Sequence, residues 1–381
     1  MNLIKENKIE LSIFFIFFFY FSAWVIFNSN NVALNNDELS YAINYYSFTP
    51  HISNFLNILI KSKKLNQILG SILFPSLCAV ILYKIFYKIL QNILWSVSLT
   101  LLSILSSESF PFINFLKSVF TFSDLTETIN RSENFEIIGF PIPSFSIFCF
   151  LITFYYSNRI INLNKNFIFI ATFLWLINTH IHPVDGLLGL SYWTMFVFII
   201  AFLKKFRFSL KEIAIILFMY VLNFILLFLN FEVETLYNIN SEQNFSLYSL
   251  LFYFISPTIF IVLVNIFFKV DFNEFFIKFF PIYILMIIEL FLIGLSLIGY
   301  GVDLQMLENR ISLFLLHFLY YVPIIYYLNK DSIFYENNPE KNILIRFIKK
   351  SIYNLFNKYK AIYLVPFSCL LITYAYLSLN I

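Results

Sequence analysis

Asp37 and Glu38 stand together in NNVALNNDELSYAINYY, just past the first apolar segment, with Asn35 and Asn36 before them and Tyr41, Tyr45 and Tyr46 after. A carboxylate held at a membrane–water interface can take the proton of a hydroxyl arriving from water, which is general-base chemistry. The same Asp37 fits a helix N-cap, its side chain accepting from the open amides of ELSYAINYY. The two roles are compatible. In the following HISNFLNILIKSKKL, Ile52, Phe55, Leu56, Leu59 and Ile60 share one helical face. That pattern predicts an interfacial helix ending at Lys61, Lys63 and Lys64 near lipid phosphate level.

A second constellation is His180-Ile181-His182-Pro183-Val184-Asp185-Gly186. Proline biases the residue before it toward an extended conformation. Residues two apart in an extended segment point the same way, so His180 and His182 would face one cavity with Asp185 nearby. Two imidazoles and a carboxylate can hold a divalent metal ion. The competing readings are a polar, substrate-facing turn without metal and a plain helix–turn–helix, with Asp185 as a cap and Gly186 relieving the turn.

Further candidates are scattered. Arg131 and Glu136 lie in NRSENFEIIGFPIPSFS, where Pro141 and Pro143 exclude regular helix. The fork of Arg131 suits a phosphate group, although a solvated loop explains the segment as well. Arg310 and His317, seven residues apart, share a helix face, with Glu308 beside Arg310. Arg310 would meet the phosphate head of a lipid carrier whose tail stays in the bilayer. Glu289 and His317 fall at depths differing by about 6 Å. An intramembrane acid is functional by default, and a structural Glu289–His317 pair or a protonated Glu289 fits equally.

These residues need elements to carry them. The chain has 381 residues, 60% hydrophobic and only 12% charged, against about 25% charged in a soluble domain. Its apolar runs are long and continuous, unlike the short alternating strands of a membrane barrel. The expected fold class is all-α: a polytopic transmembrane bundle of about eleven spans. We place them at 11–28, 67–83, 89–106, 143–157, 166–179, 184–203, 212–230, 248–268, 279–299, 310–328 and 361–379. A crossing requires roughly 20 apolar residues, and the fourth to sixth of these segments are short or interrupted. The abundant phenylalanine and tyrosine read as packing in lipid rather than as a binding stripe.

Lysine and arginine set the orientation. With the N-terminus inside, nineteen of the 25 basic residues fall on the inner side and six on the outer. Thirteen of the 22 acids fall outside and eight inside, so the outer face carries −7 and the inner +11. The overall +3 hides this asymmetry and points to no nucleic-acid partner. The C-terminus is then outside. The first span has a basic flank but no convincing cleavage site, which predicts a retained anchor.

The expected organisation is a transmembrane core over 1–328, with outer loops 29–66 and 107–142. A basic inner segment, 329–360, precedes a final span in 361–381. NILIRFIKKSIYNLFNKY within that segment has the pattern of an amphipathic helix on the inner leaflet. Cys78, Cys149 and Cys369 sit in apolar runs with no zinc-site spacing.

An N-in first span, with an acidic pair opening a long first outer loop, resembles the GT-C superfamily. Its members are integral membrane glycosyltransferases that use polyprenyl-phosphate sugars. DELSYA is similar to the acidic-plus-tyrosine segment of the mannosyl- and aminoarabinosyl-transferase branches. The topological likeness spans the whole chain, and the sequence likeness covers residues 36–46. It implies that Asp37 is the base activating an acceptor hydroxyl, with Glu38 second choice, on the outer face of a bacterial plasma membrane. No motif here matches the superfamily's phosphate ligands. Two other classes remain open. An envelope polysaccharide polymerase or ligase would rely on outer arginines, and a transporter or flippase would need midplane acids such as Glu289 and visible repeats.

Overall fold

The computed structural model describes residues 2–27, 63–105, 144–157, 165–181, 183–203 and 209–230, with isolated positions 279, 284, 322, 325 and 326. Among the described residues every regular element is α-helix. In chain order these are α1 (Asn2–Phe27), α2 (Lys63–Leu90), α3 (Ile93–Leu105), α4 (Ser144–Ser157), α5 (Lys165–Ile181), α6 (Pro183–Leu203) and α7 (Leu210–Asn230). Each coincides with one of the first seven expected apolar segments. The four later segments, the loop 107–142 and the basic segment 329–360 lie outside the described residues, apart from the isolated positions.

Local chemistry explains where the helices stop and start. Gln91 adopts the left-handed conformation, φ 52°, and its N–H donates to Tyr87 O at 2.9 Å. This closes the last turn of α2. Asn92 Oδ1 then accepts from Trp95 N at 3.2 Å, capping α3, so two residues suffice to join the helices. At α7, Ser209 N donates to Glu212 Oε2 at 2.7 Å, and Glu212 N donates to Ser209 Oγ at 3.3 Å. That reciprocal capping box satisfies two open donors. Pro183 occupies the first turn of α6, where its missing N–H costs nothing.

The helices outrun some expected bounds. α2 begins at Lys63 and ends at Leu90, so Lys63 and Lys64 belong to it rather than to the end of an interfacial helix. Lys84 and Lys88 likewise ride on its last turns instead of a loop. Within it, Ile68–Leu90 is the one helix among the described residues long and apolar enough to cross a membrane, by length and composition. Ser144–Ser157, Phe167–Ile181 and Leu188–Ile199 are shorter apolar helices.

The chain divides into two compact units. The second comprises Leu82–Asn134, Asn244–Met286 and Leu313–Ile381. Its described part holds the end of α2, α3, and buried Phe279, Ile284, Val322 and Ile325. The rings of Phe279 and Tyr326 meet edge to face at 5.5 Å.

The first unit comprises Met1–Ile81, Phe135–Gln243 and Ile287–Ser312. Within it α5 packs against α4, α6 and α7, and α6 also packs against α4. The core between α4, α5 and α6 is aromatic: Trp175 meets Phe150 at 5.1 Å and Tyr192 at 6.1 Å, and Phe154 meets Tyr192 at 5.3 Å. The start of α2 joins α4 through Phe74, which contacts Phe145 at 5.0 Å and Phe148 at 5.5 Å. Along α1 the buried residues Ile13, Phe17, Phe21 and Val25 recur every four positions, and Leu11, Phe15, Ile16 and Phe19 are exposed. Aromatics thus serve both interior and surface.

Candidate functional site

The α5–α6 hairpin is built on two glycines. A Cβ on Gly186 would overlap the backbone of Asn178 and Thr179, and one on Gly189 would overlap the indole of Trp175. Removing both side chains lets α6 lie against α5 closely enough for backbone contact, the use membrane helices make of small residues. Trp175 is fully buried in this contact.

Around the hairpin, four threonines fasten helix to helix by one repeated arrangement. Each hydroxyl bonds a carbonyl of its own helix and a polar side chain on a neighbour. Thr153 on α4 donates to Cys149 O at 2.7 Å and accepts from Asn178 Nδ2 on α5 at 2.9 Å. Thr172 on α5 donates to Ile168 O at 2.8 Å and accepts from Trp193 Nε1 on α6 at 2.8 Å. Thr179 on α5 donates to Leu176 O at 2.6 Å, and its Oγ1 lies 3.1 Å from Asn223 Nδ2 and 3.3 Å from Asn223 Oδ1 on α7. Thr194 on α6 donates to Leu190 O at 2.7 Å and pairs with the Tyr220 hydroxyl of α7. A threonine can make both bonds because its hydroxyl carries one proton and two acceptor lone pairs.

α7 is polar on the inside and apolar on the outside. Asn223 is the one fully buried side chain among its described residues, at 5% exposure, and Leu217, Phe218, Val221, Leu222, Phe224 and Ile225 are all exposed. Its 21 residues extend about 31 Å.

His180 occupies the last turn of α5, half-buried, with Nε2 2.9 Å from Asn223 Oδ1. Asn178, Thr179 and His180 are consecutive, and they reach two helices. Asn178 turns to α4, while Thr179 and His180 converge on Asn223 of α7. The result is a polar cluster at the C-terminal end of α5, beside the Pro183 turn.

The expectation of an extended run through His180 is corrected: α5 continues through Ile181, so the two-residue alternation does not apply there. Proline restricts the residue immediately before it, and the helix is free to reach Ile181. His182 lies outside the described residues. Asp185 falls in the first turn of α6, its side chain outside what the structure describes. Asp37, Glu38, Arg131, Glu289, Arg310 and His317 also lie outside the described residues. Among the described residues no three His, Cys, Asp or Glu side chains gather as a metal site.

Asn223, Asn178, Thr153 and Thr179 are absent from the candidates the sequence offers. A signal for Asn223 exists: an amide in the apolar run FMYVLNFILLF is costly in lipid unless it meets a partner. Compared with known proteins, the chain matches no family model, no curated protein and no solved structure.

Proposed function

We propose that this chain is a membrane glycosyltransferase of GT-C type with about eleven spans, N-terminus inside and C-terminus outside, in a bacterial plasma membrane. It moves a sugar from a polyprenyl-phosphate donor to an acceptor hydroxyl on the outer face. The observation carrying this reading is the Asp37-Glu38 pair at the head of the first outer loop, on the acid-rich side of the charge asymmetry. The membrane setting draws support from α7, which buries an amide and exposes its aliphatic face. Water would penalise that arrangement, and hydrocarbon favours it.

In this reading Asp37 removes the proton of the acceptor hydroxyl, with Glu38 beside it as the second carboxylate. The acceptor oxygen bonds to the anomeric carbon as the bond from that carbon to the phosphate oxygen breaks. The bonding electrons leave with the lipid phosphate. A single displacement inverts the anomeric centre. Arg310 and Arg131 offset the charge gathering on the leaving phosphate, with His317 and Glu289 below Arg310. His180, His182 and Asp185 belong, in this reading, to the polar junction of α5 and α6 on the same outer side.

The test is sugar transfer by purified wild type, Asp37→Asn and Glu38→Gln on a panel of polyprenyl-phosphate sugars. Loss of transfer in folded Asp37→Asn, with partial activity in Glu38→Gln, is the expected outcome. Wild-type turnover in both variants would make the pair a helix cap and remove the main support for the transferase.

A further inference from the structure

α6 and α7 both pack on α5, and they meet each other through the hydroxyls of Thr194 and Tyr220. On α6, Ser191 lies three residues before Thr194 and Phe198 four after it. On α7, Leu217 and Ile213 lie three and seven residues before Tyr220. Residues at those spacings share a helix face, so these side chains flank the hydroxyl pair. Ser191, Thr194, Phe198, Leu217 and Ile213 are all exposed. A cleft therefore runs between α6 and α7, with α5 behind it and apolar walls from Phe198, Leu217 and Ile213. Both walls lead to one basic end. α6 ends at Leu203 and α7 begins at Leu210, and the eight residues from Lys204 to Lys211 include Lys204, Lys205, Arg207 and Lys211. Lys204 directly follows the last residue of α6, and Lys211 is exposed in the first turn of α7. Chain connectivity thus holds this charge at the end of the cleft. With Glu212 counted, four cations and one acid leave +3 there, and the Glu212 carboxylate already accepts from Ser209 N. From the hydroxyl pair to that end, α6 runs nine residues and α7 ten, about 14–15 Å of helix. That is half of a hydrocarbon core roughly 30 Å thick, the depth of one leaflet.

We propose that this cleft binds an anionic phospholipid, with its headgroup at Lys204–Lys211 and an acyl chain between Phe198, Leu217 and Ile213. Charge selects the headgroup: four or more cations beside a membrane helix attract anionic lipid, and lysine and arginine donate to phosphate oxygens. The walls select the chain. An acyl chain entering from the basic end passes Phe198, Leu217 and Ile213 before it reaches the hydroxyl pair. Those hydroxyls are bonded to each other and to Leu190 O, so they close the cleft without needing a polar ligand. Depth selects a lipid over a further helix, since the apolar walls extend for one leaflet rather than two. The bound lipid joins α7 to α6 on the side that α5 does not cover. This rests on the membrane reading of the chain and stands whether or not the chain transfers sugars.

The experiment reconstitutes the full chain in phosphatidylcholine bilayers holding a minor fraction of brominated phosphatidylglycerol or brominated phosphatidylcholine. Quenching of the emission that Phe198→Trp adds over wild type reads the lipid in the cleft. Leu222→Trp, on the opposite side of α7 from Tyr220, reads the surrounding bilayer. Phe198→Trp is expected to favour phosphatidylglycerol by about tenfold in relative affinity, the size that one or two cation contacts supply. Leu222→Trp is expected to show no preference, and replacing Lys204, Lys205 and Lys211 by Gln to abolish the preference at Phe198→Trp. Equal quenching by the two lipids in Phe198→Trp would overturn the site, as would a preference of the same size in Leu222→Trp. So would a preference undiminished by the three Gln replacements. Quenching of Leu222→Trp but not of Phe198→Trp would also overturn it, by placing protein in the cleft while the membrane reading holds. Quenching of neither would overturn both.

Discussion

α6 and α7 both pack on α5, and they do so by opposite means. α6 is held by shape: Gly186 and Gly189 bring it against the α5 backbone and the Trp175 ring, with one polar fastening between Trp193 and Thr172. α7 meets its neighbours through Asn223 and Tyr220, which bond to Thr179, His180 and Thr194, and its aliphatic side chains point away. In water the second arrangement would waste the hydrophobic effect, the dominant driving force of folding. In lipid that force no longer separates inside from outside, and packing and interhelical hydrogen bonds decide. The contrast teaches that α6 is fixed by fit and α7 by a few replaceable polar contacts.

The contrast can be broken at each end. The largest effect belongs to Gly186→Ala, whose added methyl meets backbone that cannot step aside. Overpacking of this kind costs about 1–3 kcal/mol, and we expect the upper part of that range from unfolding in detergent. Gly189→Ala should cost less, because the Trp175 ring can turn where a backbone cannot. Next comes Asn223→Leu, which removes both α5–α7 bonds. Interhelical hydrogen bonds in membranes contribute about 0.6 kcal/mol each on average, so a loss of about 1 kcal/mol is expected. Thr153→Val, which breaks one interhelical bond, to Asn178, together with the bond to Cys149 O within α4, should cost about half as much, and a double-mutant cycle with Asn178→Leu should return the interhelical coupling. Smallest of all is Leu222→Ala on the outward face of α7, expected within about 0.5 kcal/mol of wild type as for surface changes generally. A large loss there would mean that protein, not lipid, covers α7.

Much of the helical layout is legible in the sequence. α4 to α7 begin and end within about two residues of the apolar runs, because a long apolar segment bounded by Pro183, Ser209 or a basic cluster has few other ways to fold. The fastenings are not legible. Thr153 and Asn178, or Thr179 and Asn223, are 25 and 44 residues apart, and their pairing depends on helix rotation, which an apolar run of uniform hydrophobicity does not specify. The HIHP motif misleads for a definable reason: proline restricts His182 alone, and the α5 hydrogen bonds keep His180 helical. Asp37, Glu38 and Arg310 stand out by charge in an apolar chain, a signal of place rather than of geometry.

The exposed apolar face of α7 supports the membrane reading, and fluorescence tests directly whether hydrocarbon covers it. Phe218→Trp and Phe224→Trp would be placed in bilayers of brominated phospholipid, and the emission each adds over wild type compared with its value in unbrominated lipid. Both phenylalanines are more than half exposed, whereas three of the four native tryptophans, Trp95, Trp175 and Trp193, are buried. Strong quenching of the added emission is the expected result. Added emission as resistant to bromine as the buried tryptophans would contradict it, and would place protein where lipid is claimed.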